Sequence, residues 1–203
     1  MKKTLKLTII IFVICLCGCT ETDRNTIFPS DTELRAGDIV FRRGSGMKSH
    51  AVLYVDSNGV YSHVGVVADS AGAMMVIHAV PDEHDNKNDI DRVKMETVEK
   101  FFSKTNADIG CVMRCQDSLA AMKASIYATE IYKRGTAFDH DYDDKDTTKM
   151  YCCELVEFAY NKAGINITEG IRHKISVPGL SLDSVILPSD ILNSPKLKKI
   201  REF

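Results

Sequence analysis

The chain has 203 residues, enough for one domain with a proper core and short for two. Hydrophobic residues make up 44 % and charged residues 27 %, the balance of a globular protein. A formal charge of −2 gives no electrostatic reason to expect nucleic acid or an anionic surface as partner.

The chain opens with a positive start, Lys2, Lys3 and Lys6, and then the apolar run "LTIIIFVICLCG". This reads as a secretory signal over 1–18, too short and too soon followed by polar residues to span a membrane. Its end, Leu16-Cys17-Gly18-Cys19, resembles a bacterial lipobox. That resemblance implies cleavage before Cys19 and lipid attachment to its thiol, with the protein held in the cell envelope. Residues 19–32 are then a polar, lipid-attached tether, and 33–203 a single domain. In an exported protein, Cys111, Cys115, Cys152 and Cys153 need an explanation. Adjacent cysteines pair poorly, as do 111 and 115 on one strand.

From residue 36, "AGD" turns into a short strand at Ile39–Arg42. "AVLYVD" fits a strand or a helical turn. "VYSHVGVVAD" and "AMMVIHAVP" alternate as two strands of a hairpin closed at 70–72. "TVEKFFSK" suits a short helix and "IGCVMRC" a strand. "DSLAAMKASIYATEIYKRG" spells a helix of about five turns capped by Asp117 or Ser118 and ended by Gly135. "FDHDYDD" suits an exposed strand or loop. "MYCCELVEFAYNKAG" is a second strong helix stopped by Gly164, and "PSDIL" opens a last turn in a loop-rich tail. Partly segregated strands and helices indicate an α+β domain, an antiparallel sheet packed by helices.

The two cysteines at 152 and 153 raise the chemical question. Cys152, Leu155, Val156, Ala159 and Ala163 recur at helical spacing on one face, with Cys153, Glu157 and Asn161 on a more polar one. Cys152 therefore points inward, in a first turn whose free N–H groups favour a thiolate and can hold an oxyanion. A turn centred on residues 70 and 71 would set His63 directly across from His78, their Cβ atoms roughly 5 Å apart. Tyr61 would share that strand face. Thiol, base, orienting imidazole and phenol make a Cys–His constellation, with His63 as base and His78 as its orienter. Buried structural cysteines and histidines are the plain alternative. A zinc site from Cys152, Cys153, His63 and His78 is disfavoured, because adjacent cysteines rarely chelate one ion and no CxxC is present. The alternation Asp139, Asp141, Asp143 lacks the glycine and closing glutamate of an EF-hand and suits a solvated face.

"GDIVF", "YSHVGVV" and "YCCELVEFAY", in that order, resemble the YiiX-like branch of the NlpC-type cysteine peptidases. The resemblance implies a circularly permuted papain-like fold, a nucleophile at Cys152 and a base at His63. The motif aromatic-Cys-(Ser/Thr)-Glu-Leu is met by Tyr151 to Leu155, with Cys153 in the small-residue slot. His78 stands where relatives often carry glutamate, and a neutral imidazole supports an imidazolium less than a carboxylate does. The expected activity is amide hydrolysis in a small peptide derived from peptidoglycan. Tyr61 and Tyr151 are the expected substrate-binding residues, and neither metal nor organic cofactor is required. Two alternatives remain at this level: a lipid-directed acyltransferase or acyl hydrolase using the same pair, and a non-catalytic binding module on this fold.

Overall fold

A computed structural model describes residues 25–84, 86–143, 146–178 and 180–203. The expected signal segment 1–18 and the expected lipid site Cys19 lie outside the described residues. Within them, no helix is long and apolar enough to cross a membrane.

The elements follow in chain order: β1 (Ile39–Arg43), α1 (Met47–Val55), β2 (His63–Ser70), β3 (Ala73–Val80), β4 (Arg92–Thr97), α2 (Val98–Phe101), β5 (Ile109–Cys115), α3 (Ser118–Lys133), β6 (Ala137–Phe138), β7 (Lys149–Met150), α4 (Cys152–Lys162), β8 (His173–Val177), β9 (Leu180–Val185), α5 (Pro188–Leu192) and β10 (Leu197–Glu202). Eight strands form one sheet in the order β10-β5-β1-β2-β3-β4-β6-β7, and β8 and β9 form a separate hairpin. All pairings are antiparallel except β6 with β7.

Alternation along the strands divides the core in two. Ile39, Phe41, Val64, Val66, Ile77, Ala79 and Val93 face α3 and α4. Asp117 caps α3 by accepting the Ala120 N–H at 2.9 Å. The buried stripe Ala120, Ala121, Ala124 and Ala128 then lets α3 lie close to the sheet. Gly37 makes that closeness possible: with φ +87, a Cβ there would stand 2.1 Å from the Ala121 carbonyl oxygen. Val40, Val67, Val76 and Val112 face the opposite way. They are covered by Phe101 and Phe102, with Ile27, Phe28 and Phe203 beside them.

The covering residues correct the expected tether. Ile27 N–H donates to the Phe102 carbonyl at 2.9 Å, and the Phe28 ring stacks on Phe102 at 5.4 Å. The chain is therefore part of the domain from about residue 25, ahead of the expected boundary at 33. The tail departs from its loop-rich reading as well, since it supplies β8, β9 and edge strand β10, and β4 was not read at all. "LKKIRE" and "RVKMET" carry so many charges that neither stands out as a strand.

The β2–β3 turn also differs from expectation. Its central residues are Ala71 and Gly72, with φ of 54° and 87°, the conformation of a tight primed hairpin turn. The register therefore runs from Val66↔Ile77 to Ser70↔Ala73. Continuing it places His78 opposite Gly65, not His63. A slip of two residues preserves the face, so the two histidines still share a side of the sheet.

Candidate active site

Both imidazoles are buried, His78 fully and His63 to 9 % exposure, on the face opposite α3 and α4. His63 Nε2 and His78 Nδ1 lie 2.8 Å apart. The diagonal contact depends on Gly65, where a Cβ would fall 2.7 Å from Val76 Cγ1 and 3.1 Å from His78 Cβ. Without a side chain there, the His78 ring crosses over Gly65 to its partner.

Behind His78 stands Glu96, whose Oε1 lies 3.1 Å from His78 Nε2. The approach is close rather than well aligned as a hydrogen bond. Glu96 is 4 % exposed at its side chain and 3.4 Å from Lys100 Nζ. Its pKa goes down: burial alone would raise it, and His78, Arg42 and Lys100 together overcome that. An ionised Glu96 only accepts, so His78 carries its proton on Nε2 and offers the Nδ1 lone pair to His63. His63 must then carry its proton on Nε2, which leaves Nδ1 bare. That assignment follows from the network, and it turns a basic nitrogen toward the thiol.

Cys152 is half-buried at the first position of α4, close enough to His63 for the imidazole to favour its thiolate. The Val64 N–H favours the thiolate in the same direction. Val67 N–H donates to β1 through the Asp38 carbonyl, so alternation aims Val64 N–H toward β3. The β2–β3 ladder begins only at Val66, which leaves the Val64 N–H out of it and able to act on the thiol. Helix α4 thus meets the histidine face around the open end of that ladder, not through the sheet.

The Cys152 thiol is held well below its ordinary pKa. Causes are the Cys153 thiol, then His63 and the Val64 N–H, all working against burial. Cys153 Sγ lies 3.9 Å away and is a weak donor, so His63 and Val64 carry the firmer share. Cys153 is pushed up by burial, by Cys152 and by the carboxylates of Asp190 and Asp56. Burial holds His63 down to about 4, and Arg42 and His78 add to this while Cys152 opposes it. His78 goes down for the same leading reason, with Glu96 pulling the other way. The resting pair is therefore a neutral imidazole beside an acidified thiol.

Sequence reasoning missed the buried shell around this pair. Arg42 pairs in register with His63, donates to the Phe101 carbonyl at 2.8 Å and contacts Glu83. Its guanidinium lies 4.6 Å from the centre of the Phe101 ring, which packs on both histidines. Lys94 stands opposite His78 and reaches the Glu83 carbonyl and Asp89. The alternation Arg92, Lys94, Glu96 was a usable signal, but a charged strand face ordinarily means solvent.

Three expectations meet different geometry. Cys153 and Glu157 are buried, at 1 % and 6 % exposure, not on a polar face. The tail covers them: Arg172 grips Glu157 at 2.9 and 2.6 Å, and Thr168 also donates to it. Tyr61 precedes β2, is 2 % exposed, packs on Phe41 and donates to Glu202 at 2.8 Å. Tyr151 is 3 % exposed, and its hydroxyl accepts the Ile186 N–H at 2.8 Å. Neither phenol offers surface to a ligand. Asp139 is buried as well and accepts N–H groups from Asp141 and Asp143 at 3.0 and 2.6 Å, organising a loop.

Residues 33–201 match the family described as "permuted papain-like amidase enzyme, YaeF/YiiX, C92 family". The fold resembles a crystal structure described as the metalloprotein yiiX from Escherichia coli O157:H7. The TM-score is 0.68 at 19 % identity, over 85 % of this chain and 99 % of that one. No curated protein matches. The likeness to yiiX carries the fold, and the family match carries the class of chemistry: the chain belongs to the permuted papain-like amidases and is a cysteine hydrolase.

Proposed function

We propose that Cys152 is the nucleophile, His63 its base and His78 the group that orients His63, with Glu96 fixing the tautomers behind them. The supporting observation is the line His63–His78–Glu96, with 2.8 and 3.1 Å between successive atoms, ending at a Cys152 thiol that His63 holds down. The sulfur attacks the amide carbon as its proton passes to His63 Nδ1. The carbonyl electrons move to oxygen, in reach of first-turn N–H groups of α4. His63 then gives its proton to the leaving amine, and the C–N bond breaks to leave a thioester. Water, deprotonated by His63, releases the acid and restores the thiol.

The substrate we propose is a small peptide from peptidoglycan, met in the envelope by a chain anchored through a lipid on Cys19 after removal of 1–18. The apolar leader and the cysteine at its end support that location. A cavity of about 240 Å³ beyond Cys153 is lined by Asp56, Glu169, His173, Ser189, Asp190 and Asn193 among others. Val55, Ile167, Ile171 and Leu187 line it too, so the mixed lining suits a short peptide with both apolar and charged groups. Metal chemistry at the pair is a poor fit. His63 Nε2 and His78 Nδ1 are used on one another, and Cys153 is held as a thiol. That leaves Cys152 and His63 Nδ1, too few donors for a zinc site.

The test incubates the chain and its Cys152→Ala form with muropeptides and, separately, with phospholipids, and reads products by mass spectrometry. Amide cleavage that disappears in Cys152→Ala supports the reading. Deacylated lipid with intact muropeptides would replace it.

A further inference from the structure

Three stretches of chain converge beyond the ends of β3 and β4. Asp82 stands two residues past β3, His84 two further on, and Asp91 just before β4. His140 follows β6, which pairs with β4 through Arg92↔Ala137. The ligand atoms of Asp82, His84 and Asp91 all lie within 4.8 Å of one another. Asp91 is the centre. Its Oδ1 faces His84 Nε2 at 2.9 Å and accepts the Asp82 N–H at 2.7 Å, and its Oδ2 faces His140 Nε2 at 3.1 Å. The Asp82 carboxylate also contacts Lys48. Asp91 is 16 % exposed at its side chain and His84 43 %, so an ion has access from solvent.

We infer that Asp82, His84 and Asp91 bind one divalent transition-metal ion, zinc being the best match, with His140 bracing Asp91. Two carboxylates and an imidazole without sulfur suit a borderline to hard divalent ion such as zinc, manganese or cobalt. In a tetrahedral site with ligands at about 2.0–2.2 Å, ligand atoms sit roughly 3.4 Å apart, a spacing bracketed by the separations here. His84 binds as the neutral ring, its Nε2 lone pair replacing the hydrogen bond to Asp91. The site's position gives the ion its work. Asp82 and His84 follow the strand that carries His78, while His140 lies in sequence between β6 and β7, ahead of the helix of Cys152. An ion held at Asp91 pins these two stretches together at the rim of the catalytic face. The inference is independent of the proposed substrate.

The experiment uses the full-length chain as Cys152→Ala with Cys153→Ser, so that the paired thiols do not compete. Zinc chloride is titrated by calorimetry, cobalt(II) binding is followed by absorption, and the unfolding midpoint is read with and without zinc. The expected result is one site, weakened at least tenfold by His84→Ala and by Asp91→Asn. Cobalt bands should show no sulfur charge transfer. Zinc should raise the midpoint in the parent and not in His84→Ala, since a ligand of the folded state stabilises by mass action. No binding, binding unchanged in both variants, or a thiolate charge-transfer band would overturn it. His84 is exposed and its truncation leaves the core intact, so failure to fold does not confuse the outcome.

Discussion

On one face of the sheet Ile39, Phe41, Val64, Val66 and Ile77 meet the alanine stripe of α3 and the Leu155–Val156 side of α4. On the other, Arg42, His63, His78, Lys94 and Glu96 are just as buried, beside Val40, Val67 and Val76. Both faces exclude water. The first converts exclusion into stability, at about 25 cal/mol per Å² of apolar surface removed from water. The second uses it to displace protonation equilibria, because a charge in a dry site is costly unless paired. Fully buried His78 stands between Glu96 and the cations of Arg42 and Lys94, so its tautomer is fixed by charge as well as by packing. Cys152 belongs to the helix of the first face and stands beside His63 of the second, near the open end of the β2–β3 ladder.

The sharpest break of this comparison falls on the residue that joins the faces. Cys152→Ala should lower kcat by about 10³-fold or more, roughly 4 kcal/mol of barrier, with the fold intact. Cys153→Ser should keep most of the activity. Steady-state hydrolysis with circular dichroism reads both, and a dead Cys153→Ser beside an active Cys152→Ala would exchange their roles. Next comes the apolar face alone. Leu155, fully buried, should cost roughly 2–5 kcal/mol of stability as Leu155→Ala, measured by urea unfolding. The pH dependence of thiol alkylation should not move.

The charged face should make stability depend on pH. His63 is pushed from 6.5 down to about 4 on folding. Between those values the unfolded chain binds more protons, so stability rises with pH there. The contribution is complete above 6.5 and is lost as pH falls through 4. His78 and Glu96 shift in the same downward direction and add to acid sensitivity. His63 alone accounts for about 3 kcal/mol. Urea unfolding across pH 4–7 should show the slope, and His63→Gln should flatten it. A slope unchanged in His63→Gln would remove this histidine from the account.

The smallest effect is the most selective. Glu96→Gln keeps the shape and an acceptor but removes the charge that supports an imidazolium through His78. It should reduce kcat about tenfold, near 1.4 kcal/mol, with KM unchanged. An alkylation profile and kcat identical to the parent would show that Glu96 only packs.

Much of this site could be read locally. The spacing in "YCCELVEFAY" put Cys152 in a first helical turn, and "YSHVGVV" and "VIHAVP" put two histidines on one strand face. Parity survives a two-residue slip, so the face was right although the partner was not. The depth of Cys153 and Glu157 was not readable, because their cover comes from Arg172, Thr168 and α5, far along the chain. Tyr61 seemed to face substrate for the same reason: its partner is Glu202, at the other end of the sequence.

By itself, the sequence determined the periodicities, the caps and the order of the chemical residues, since each depends on neighbours within a turn or a strand. The tertiary structure decided which polar residues are dry. Arg42, Lys94 and Glu96 alternate as any solvated strand face does. They become a dry shell around the two histidines because Phe101 packs on Arg42 and both imidazoles, and Glu83 and Asp89 take up Lys94. Burial is a sum over distant segments, and with it goes every displaced pKa on which the chemistry depends.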